Sequence, residues 1–163
     1  MPEFQPHELK LHQGTLAISA MPGRTRHYGT DWKRLLDWDP QMVVTMCGQV
    51  ELDRKGSGSL GADLRAHGID WAHVPVTDFG APDEQAEALW LDAENRALAV
   101  SGAGGRVLVH CFGGCGRSGM AVLRLMVAAG EAPDAAFARL RHVRPCAVET
   151  DAQMAWATAL ARS

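Results

Sequence analysis

A chain of 163 residues is the size of one domain and is long enough to bury a core, so residues 1–163 are read as a single domain. Its hydrophobic content of 47% and charged content of 21% are ordinary for a globular protein. A net charge of −3 with no block of Lys or Arg argues against broad binding to nucleic acid or to anionic membranes.

No apolar run approaches the roughly 20 residues of a membrane helix. The opening MPEFQPHELK lacks the basic start and apolar centre of a secretory signal. A cytoplasmic setting without stable membrane association is therefore expected. Four scattered cysteines, Cys47, Cys111, Cys115 and Cys146, do not make a disulfide framework and are expected to be thiols there.

In chain order, LKLHQGTLAIS reads as two short strands around Gln13-Gly14. MPGRTR is a loop. TDWKRLLDW carries Trp32, Leu35 and Leu36 at helical spacing, with Thr30 or Asp31 as cap. QMVVTMC is a buried strand by composition. DRKGSGS is the most flexible-looking stretch, and Ser59 caps a helix that ends at Gly68. IDWAHVPV alternates as a strand, and TDFGAP is a loop. A long helix is expected over about residues 82–99, with Asp83 and Glu84 favouring its start. GRVLVHC is the next strand, followed by a glycine-rich loop and a helix over about 117–129. PDAAFARLRHV is a further helix, and a last one is expected over about 150–161. Strands alternating with helices predict an α/β fold with a mostly parallel central sheet flanked by helices. Sites in such sheets lie beyond the C-terminal strand ends, where Cys47, Asp78 and Cys111 all fall.

The stretch VLVHCFGGCGRSG, Val107 to Gly119, carries the chemistry. Strand formers precede Cys111 and helix formers follow Ser118. Such a strand–loop–helix unit presents free N–H groups and a helix dipole to whatever sits in the loop. Gly113, Gly114 and Gly116 let the backbone of Phe112, Gly113, Gly114, Cys115 and Gly116 curl into an anion nest. Arg117 adds a planar fork that can hold two phosphoryl oxygens. The lysine and the G-K-[ST] ending of a nucleotide-binding loop are missing. A cysteine stands first instead, and the field that attracts a dianion also favours its thiolate. Ser118 is placed to donate a hydrogen bond to the sulfur. No metal or cofactor is called for, because the nest and Arg117 supply the positive charge.

The string H-C-x-x-G-x-x-R-S, His110 to Ser118, resembles the signature of the cysteine-dependent protein tyrosine and dual-specificity phosphatases. The longer HCFGGCGRSG looks most like their kinase-associated phosphatase branch. ISAMPGR, CGQVEL, VPVTDFGAPD and VRPCAVETDAQ follow in that family's order and spacing. The resemblance implies a dual-specificity-phosphatase-like fold and hydrolysis of phosphate on a protein or peptide. It implies a phosphocysteine on Cys111, phosphate binding by Arg117, and Asp78 as general acid and then base. It also implies that Gln153 helps to place the attacking water.

The residues support Asp78 independently, because it follows a strand expected to run alongside the catalytic one and sits in a Gly- and Pro-containing loop. Asp83 ranks below it as a helix-start acid. His110 is expected to be a structural hydrogen-bonding residue behind the loop. Glu51 is either a brace for Arg117 or a plain loop carboxylate. Arg144 is either a phosphate ligand or a helix C-terminal cation. Some family members pair a cysteine at the position of Cys47 with the nucleophile, which implies a reversible Cys47–Cys111 disulfide; Cys115 is the alternative partner. With no lysine between Phe112 and Gly116, a protein substrate is preferred. Arg24, Arg26, Arg54 and Lys55 keep a phosphoinositide or another small phosphate monoester as the alternative, and a non-catalytic phospho-binding module is the third reading. The sequence sets no oligomeric state.

Overall fold

The computed structural model describes residues 4–159. Strands β1 (His7–Leu11) and β2 (Gly14–Ser19) form an antiparallel hairpin through His12 and Gln13. Three more strands follow, β3 (Met42–Thr45), β4 (Asp70–His73) and β5 (Arg106–His110), and the sheet order is β1-β2-β5-β3-β4. All neighbours after the hairpin are parallel. The α/β reading and the central sheet flanked by helices are thereby found.

Alternation along the central strands makes two cores. Leu16, Ile18, Met42, Val44, Val107 and Val109 face helices α4 (Glu84–Gly102), α5 (Gly116–Ala128), α6 (Pro133–Val143) and α7 (Asp151–Thr158). Ala17, Val43 and Leu108 face the other way, toward α1 (Tyr28–Trp38), α2 (Gln49–Arg54) and α3 (Leu60–Ala66). Helix α5 runs between sheet and outer helices, so every residue from Gly116 to Val127 is buried. That accounts for its small and apolar sequence, since a helix covered on all sides has no polar face to show.

Several expected boundaries move, for local reasons. Asp31 does not cap α1. It is buried in the first turn, and its carboxylate accepts the Gly23 N–H at 2.7 Å, while His27 is the N-cap residue. Ser59 precedes α3 without a side-chain cap bond; its hydroxyl donates to Asp63 instead. The stretch read as flexible is anchored, because Ser57 is fully buried and its hydroxyl donates to the Pro22 carbonyl at 2.7 Å. Helix α2 just before it was not expected. Strand β4 ends at His73, short of the predicted run, yet Val74 and Val76 still donate to the Thr45 and Met46 carbonyls. Pro75 between them has no N–H to continue the ladder. Helix α4 begins one residue after its cap Asp83, which accepts the Ala86 N–H, and it runs on to Gly102. The last part of the helix predicted to reach residue 161 lies outside the described residues. Strand β4 is also not beside β5, since β3 separates them, so the segment carrying Asp78 crosses over the end of β3 to reach Arg117 beyond the end of β5.

Candidate active site

Strand β5 ends at His110, and residues 111–115 then wrap around the N-terminus of α5. Cys111 is 2% exposed. Its sulfur lies 3.2 Å from the Ser118 Oγ and accepts the Gly114 N–H at 3.3 Å. Among the loop glycines only Gly114 takes a positive φ, +75°, and a Cβ there would stand 2.5 Å from the backbone nitrogen of Ala20. Gly113 has open space where a Cβ would go, so backbone freedom is needed at one position of the pair and not at the other.

The loop's peptide planes are set from outside. Arg144, in the segment joining α6 to α7, donates from Nη2 to the Gly113 carbonyl at 3.0 Å and from Nε to the Gly114 carbonyl at 2.9 Å. A trans peptide points its N–H away from its C=O. Holding those two carbonyls outward turns the N–H groups of Gly114 and Cys115 inward. Arg144 does stand at the C-terminal end of α6, as one of its sequence readings had it, and from there its side chain braces the loop's backbone.

Arg117 is 1% exposed and forms the hub of the site. Its two terminal nitrogens grip the Glu51 carboxylate at 2.8 Å each, and Nη1 also donates to the Val76 carbonyl at 3.0 Å. Asp78 Oδ1 lies 3.5 Å from Nη2. The bracing role for Glu51 is therefore the one found, and α2 supplies it. Burial alone would raise the Glu51 carboxyl, but Arg117 and the Gly48 N–H outweigh it and hold it below the usual carboxylate range. Burial likewise opposes the charge on Arg117, and Glu51, Cys111 and Asp78 more than restore it. The Nε of Arg117 is a buried donor with no acceptor among the described residues.

Asp78 is half exposed at a cleft of about 330 Å³ bounded by Cys111, Phe112, Arg144 and Glu149. Its loop is tied to the N-terminus of α7. Thr150 Oγ1 donates to the Phe79 carbonyl and Gln153 Nε2 to the Gly80 carbonyl, both at 3.2 Å. Gln153 is fully buried, not a solvated helix residue, and its oxygen accepts the N–H groups of Glu149 and Thr150. A Cβ on Gly116 would stand 3.0 Å from its amide, so Gln153 lies against the floor of the loop. Phe112 forms the opposite rim, with the Arg24 guanidinium 5.5 Å and the Lys55 ammonium 5.8 Å from its ring centre.

His110 stands behind the loop, fully buried. Its Nδ1 is 3.0 Å from the Cys111 carbonyl, which can only accept, so Nδ1 carries the proton. Nε2 then accepts from Thr45 Oγ1 at 2.7 Å, and that hydroxyl accepts from Trp71 Nε1 at 2.8 Å. Burial pushes the imidazole down to about 4. The unfolded chain takes up this proton near pH 6.5 and the folded chain only near 4, so between these values the unfolded state binds more protons. Stability is therefore lost as pH falls through that window, by about 1 kcal/mol per pH unit. Thermal midpoints measured from pH 6.5 to 4 should fall, and fall less steeply in His110→Gln. An equal slope in the variant would remove His110 as the cause.

The cysteines divide differently from the expectation of four thiols. Cys115 and Cys146 form a disulfide across 31 residues of chain, while Cys47 and Cys111 are free and buried. Cys115 is thus not available as a partner for Cys111. Cys47 follows β3, next to the catalytic strand, and burial, with the Glu51 and Cys111 charges adding to it, pushes its thiol up to about 12. The disulfide, the Arg144 brace and the Thr45 link were missed in the sequence. The one signal for the first was the pair Cys115 and Cys146, each beside a segment the loop must touch. Among the described residues no cluster of His, Cys, Asp or Glu could hold a metal, and no helix is long and apolar enough to cross a membrane.

Comparison with known proteins agrees with this geometry. A family model described as the Swiss Army Knife protein DSP-PTPase phosphatase domain matches residues 16–157. Cyclin-dependent kinase inhibitor 3 of Mus musculus is 30% identical over an aligned length of 135 residues, with 79% of this chain covered. This chain spans only 63% of that relative's length. A solved structure of kinase associated phosphatase, with serine for its catalytic-site cysteine, superposes with a TM-score of 0.86 at 22% identity, covering 99% of this chain and 96% of that one. Tk-PTP in its active form gives 0.71 at 30% identity, covering 90% and 91%. The cysteine–arginine loop thus sits in a fold shared with such proteins along nearly its whole length, and the chain belongs to the DSP-PTPase family of cysteine-based phosphatases.

Proposed function

We propose that this chain acts as a single domain that hydrolyses phosphate monoesters on protein side chains, phosphotyrosine and also phosphoserine or phosphothreonine, through a phosphocysteine on Cys111. The observation that carries the reading is the pairing of a buried sulfur, already accepting an inward N–H, with Arg117, whose buried Nε has no acceptor among the described residues. A phosphoryl oxygen would satisfy that donor, and the N–H groups of residues 112–116 with Arg117 would share the remaining oxygens. The sulfur attacks phosphorus, an S–P bond forms and the ester P–O bond breaks. Asp78 passes its proton to the leaving oxygen. Water then attacks the phosphocysteine, Asp78 takes the water's proton, and Ser118 donates to the departing thiolate. Gln153 acts as a supporting residue, holding the Asp78 loop against α7 from a position beside Gly116.

Relatives named as a kinase associated phosphatase and a cyclin-dependent kinase inhibitor support a phosphoprotein substrate. The cationic rim around Phe112, with Arg26 and Arg54 lining the adjoining hollow, favours the second reading, a phosphoinositide. Oxidation of Cys111 to a sulfenic acid would let Cys47 displace water and form the Cys47–Cys111 disulfide. A peptide map after peroxide without that linkage excludes it.

Phosphate release from phosphotyrosine, phosphothreonine and phosphoserine peptides and from an inositol phospholipid tests the reading. Peptides should lead, and a lipid preference would install the second reading. Asp78→Asn should cost about 10²–10³-fold on phosphoserine, a poor leaving group, and far less on an activated aryl phosphate. Equal losses on both would remove Asp78 as the acid.

A further inference from the structure

Three features of the segment between α6 and α7 converge on the phosphate loop. Arg144 orients two of its carbonyls, the Val148 N–H donates to the Cys115 carbonyl at 3.1 Å, and the Cys115–Cys146 disulfide joins the two covalently. The segment itself is anchored to α6, where Arg141 donates to the Ala147 and Val148 carbonyls. Cys115 is the residue at which the loop turns into α5 and lies on the wall of the cleft. Cys146 is exposed, so a reductant can reach the bond.

We propose that the Cys115–Cys146 cystine is a positioning element for phosphate binding, which pins the loop's inward N–H groups against the Arg144 brace. The idea rests on the reading of this loop as the phosphate site and adds a regulation to it. Three hydrogen bonds remain when the cystine is opened, but each can exchange with water, and the loop then samples orientations in which its N–H groups no longer converge. The chemistry is ordinary thiol–disulfide exchange. A dithiol such as dithiothreitol attacks the bond, closes its own disulfide, and leaves two protonated cysteines. A peroxide reverses this, taking two electrons and two protons and leaving as two waters. The sign is opposite to that of Cys111, where oxidation removes the nucleophile. The two thiol systems thus set an optimum between reducing and strongly oxidising conditions.

The test uses the Cys111→Ser chain, so that no turnover or oxidation of the nucleophile intrudes. Binding of inorganic phosphate is measured by calorimetry before and after dithiothreitol, with thiol alkylation confirming that the cystine has opened. Near-UV circular dichroism at the same temperature reports the fold. The expected result is about tenfold weaker phosphate binding after reduction, recovered on reoxidation, in a chain that keeps its native spectrum. Cys111→Ser/Cys146→Ser should bind as weakly from the start and ignore dithiothreitol. Equal affinity before and after reduction overturns the proposal and leaves the phosphatase reading standing. A chain that unfolds outright on reduction also overturns it, since the cystine is then a staple of the whole fold. No binding in the oxidised chain overturns both.

Discussion

Cys111→Ser should abolish turnover of every phosphate monoester while leaving the chain folded and able to bind phosphate. Serine keeps the shape of the side chain and its hydrogen bonds to Gly114 N–H and Ser118. What it loses is the nucleophilicity of sulfur. A hydroxyl stays protonated at neutral pH, and the adjoining His110 is not placed to take its proton, because Nδ1–H faces the Cys111 carbonyl and Nε2 faces Thr45. On the proposed phosphocysteine route, activation comes from inward N–H groups and the start of α5, which suits a thiol far better than an alcohol. A loss of at least about 10⁴-fold in kcat is expected, comparable with removal of a covalent nucleophile elsewhere. Stopped assays on phosphotyrosine peptide give the rate, and phosphate titration gives the binding. Turnover retained in Cys111→Ser would exclude a phosphocysteine, and turnover absent from the wild type with tight phosphopeptide binding would install the silent-module reading.

Arg117→Lys separates geometry from charge. Arg117 spends two nitrogens on Glu51 and one of these also on Val76, and its Nε has no acceptor among the described residues. Lysine has one compact ammonium and cannot serve Glu51 and a phosphoryl group from fixed directions at once. The expected cost is about 10³-fold in kcat/KM, close to 4 kcal/mol of transition-state stabilisation. Arg117→Ala should lose about as much activity. It should also lower thermal stability more, since it leaves Glu51, the Val76 carbonyl and Asp78 without their shared partner. Were Arg117→Lys to keep near wild-type kcat/KM, positive charge alone would suffice and the fork would not be the acting feature. A loss of stability without loss of rate would make Arg117 a structural hub only.

The cysteine–arginine loop, its strand and its helix were legible in the sequence because they are local. The β-branched run before Cys111, the glycines and the small apolar residues of α5 each act within a few residues of one another. The strands themselves were legible for the same reason, β3 from its apolar composition and β4 from its alternation, since each pattern is read along its own length. Asp78 and Glu51 were legible as candidates only, each with a bland alternative beside it. Their roles depend on α2 and the β4 loop reaching one guanidinium across the sheet's edge. Arg144 shows the limit most clearly. As a sequence position it was a cation before a proline, and only packing brings it beneath the carbonyls of Gly113 and Gly114. The Cys115–Cys146 bond belongs with it, because a pairing across 31 residues is decided by where two loops meet in space. The sequence by itself thus determined the family, the strand–loop–helix unit around Cys111 and Arg117 and the α/β order, which follow from short-range backbone and side-chain preferences. The tertiary structure alone decided what holds that loop in shape, because every brace comes from a segment distant in the chain and is brought there by burial of the two cores.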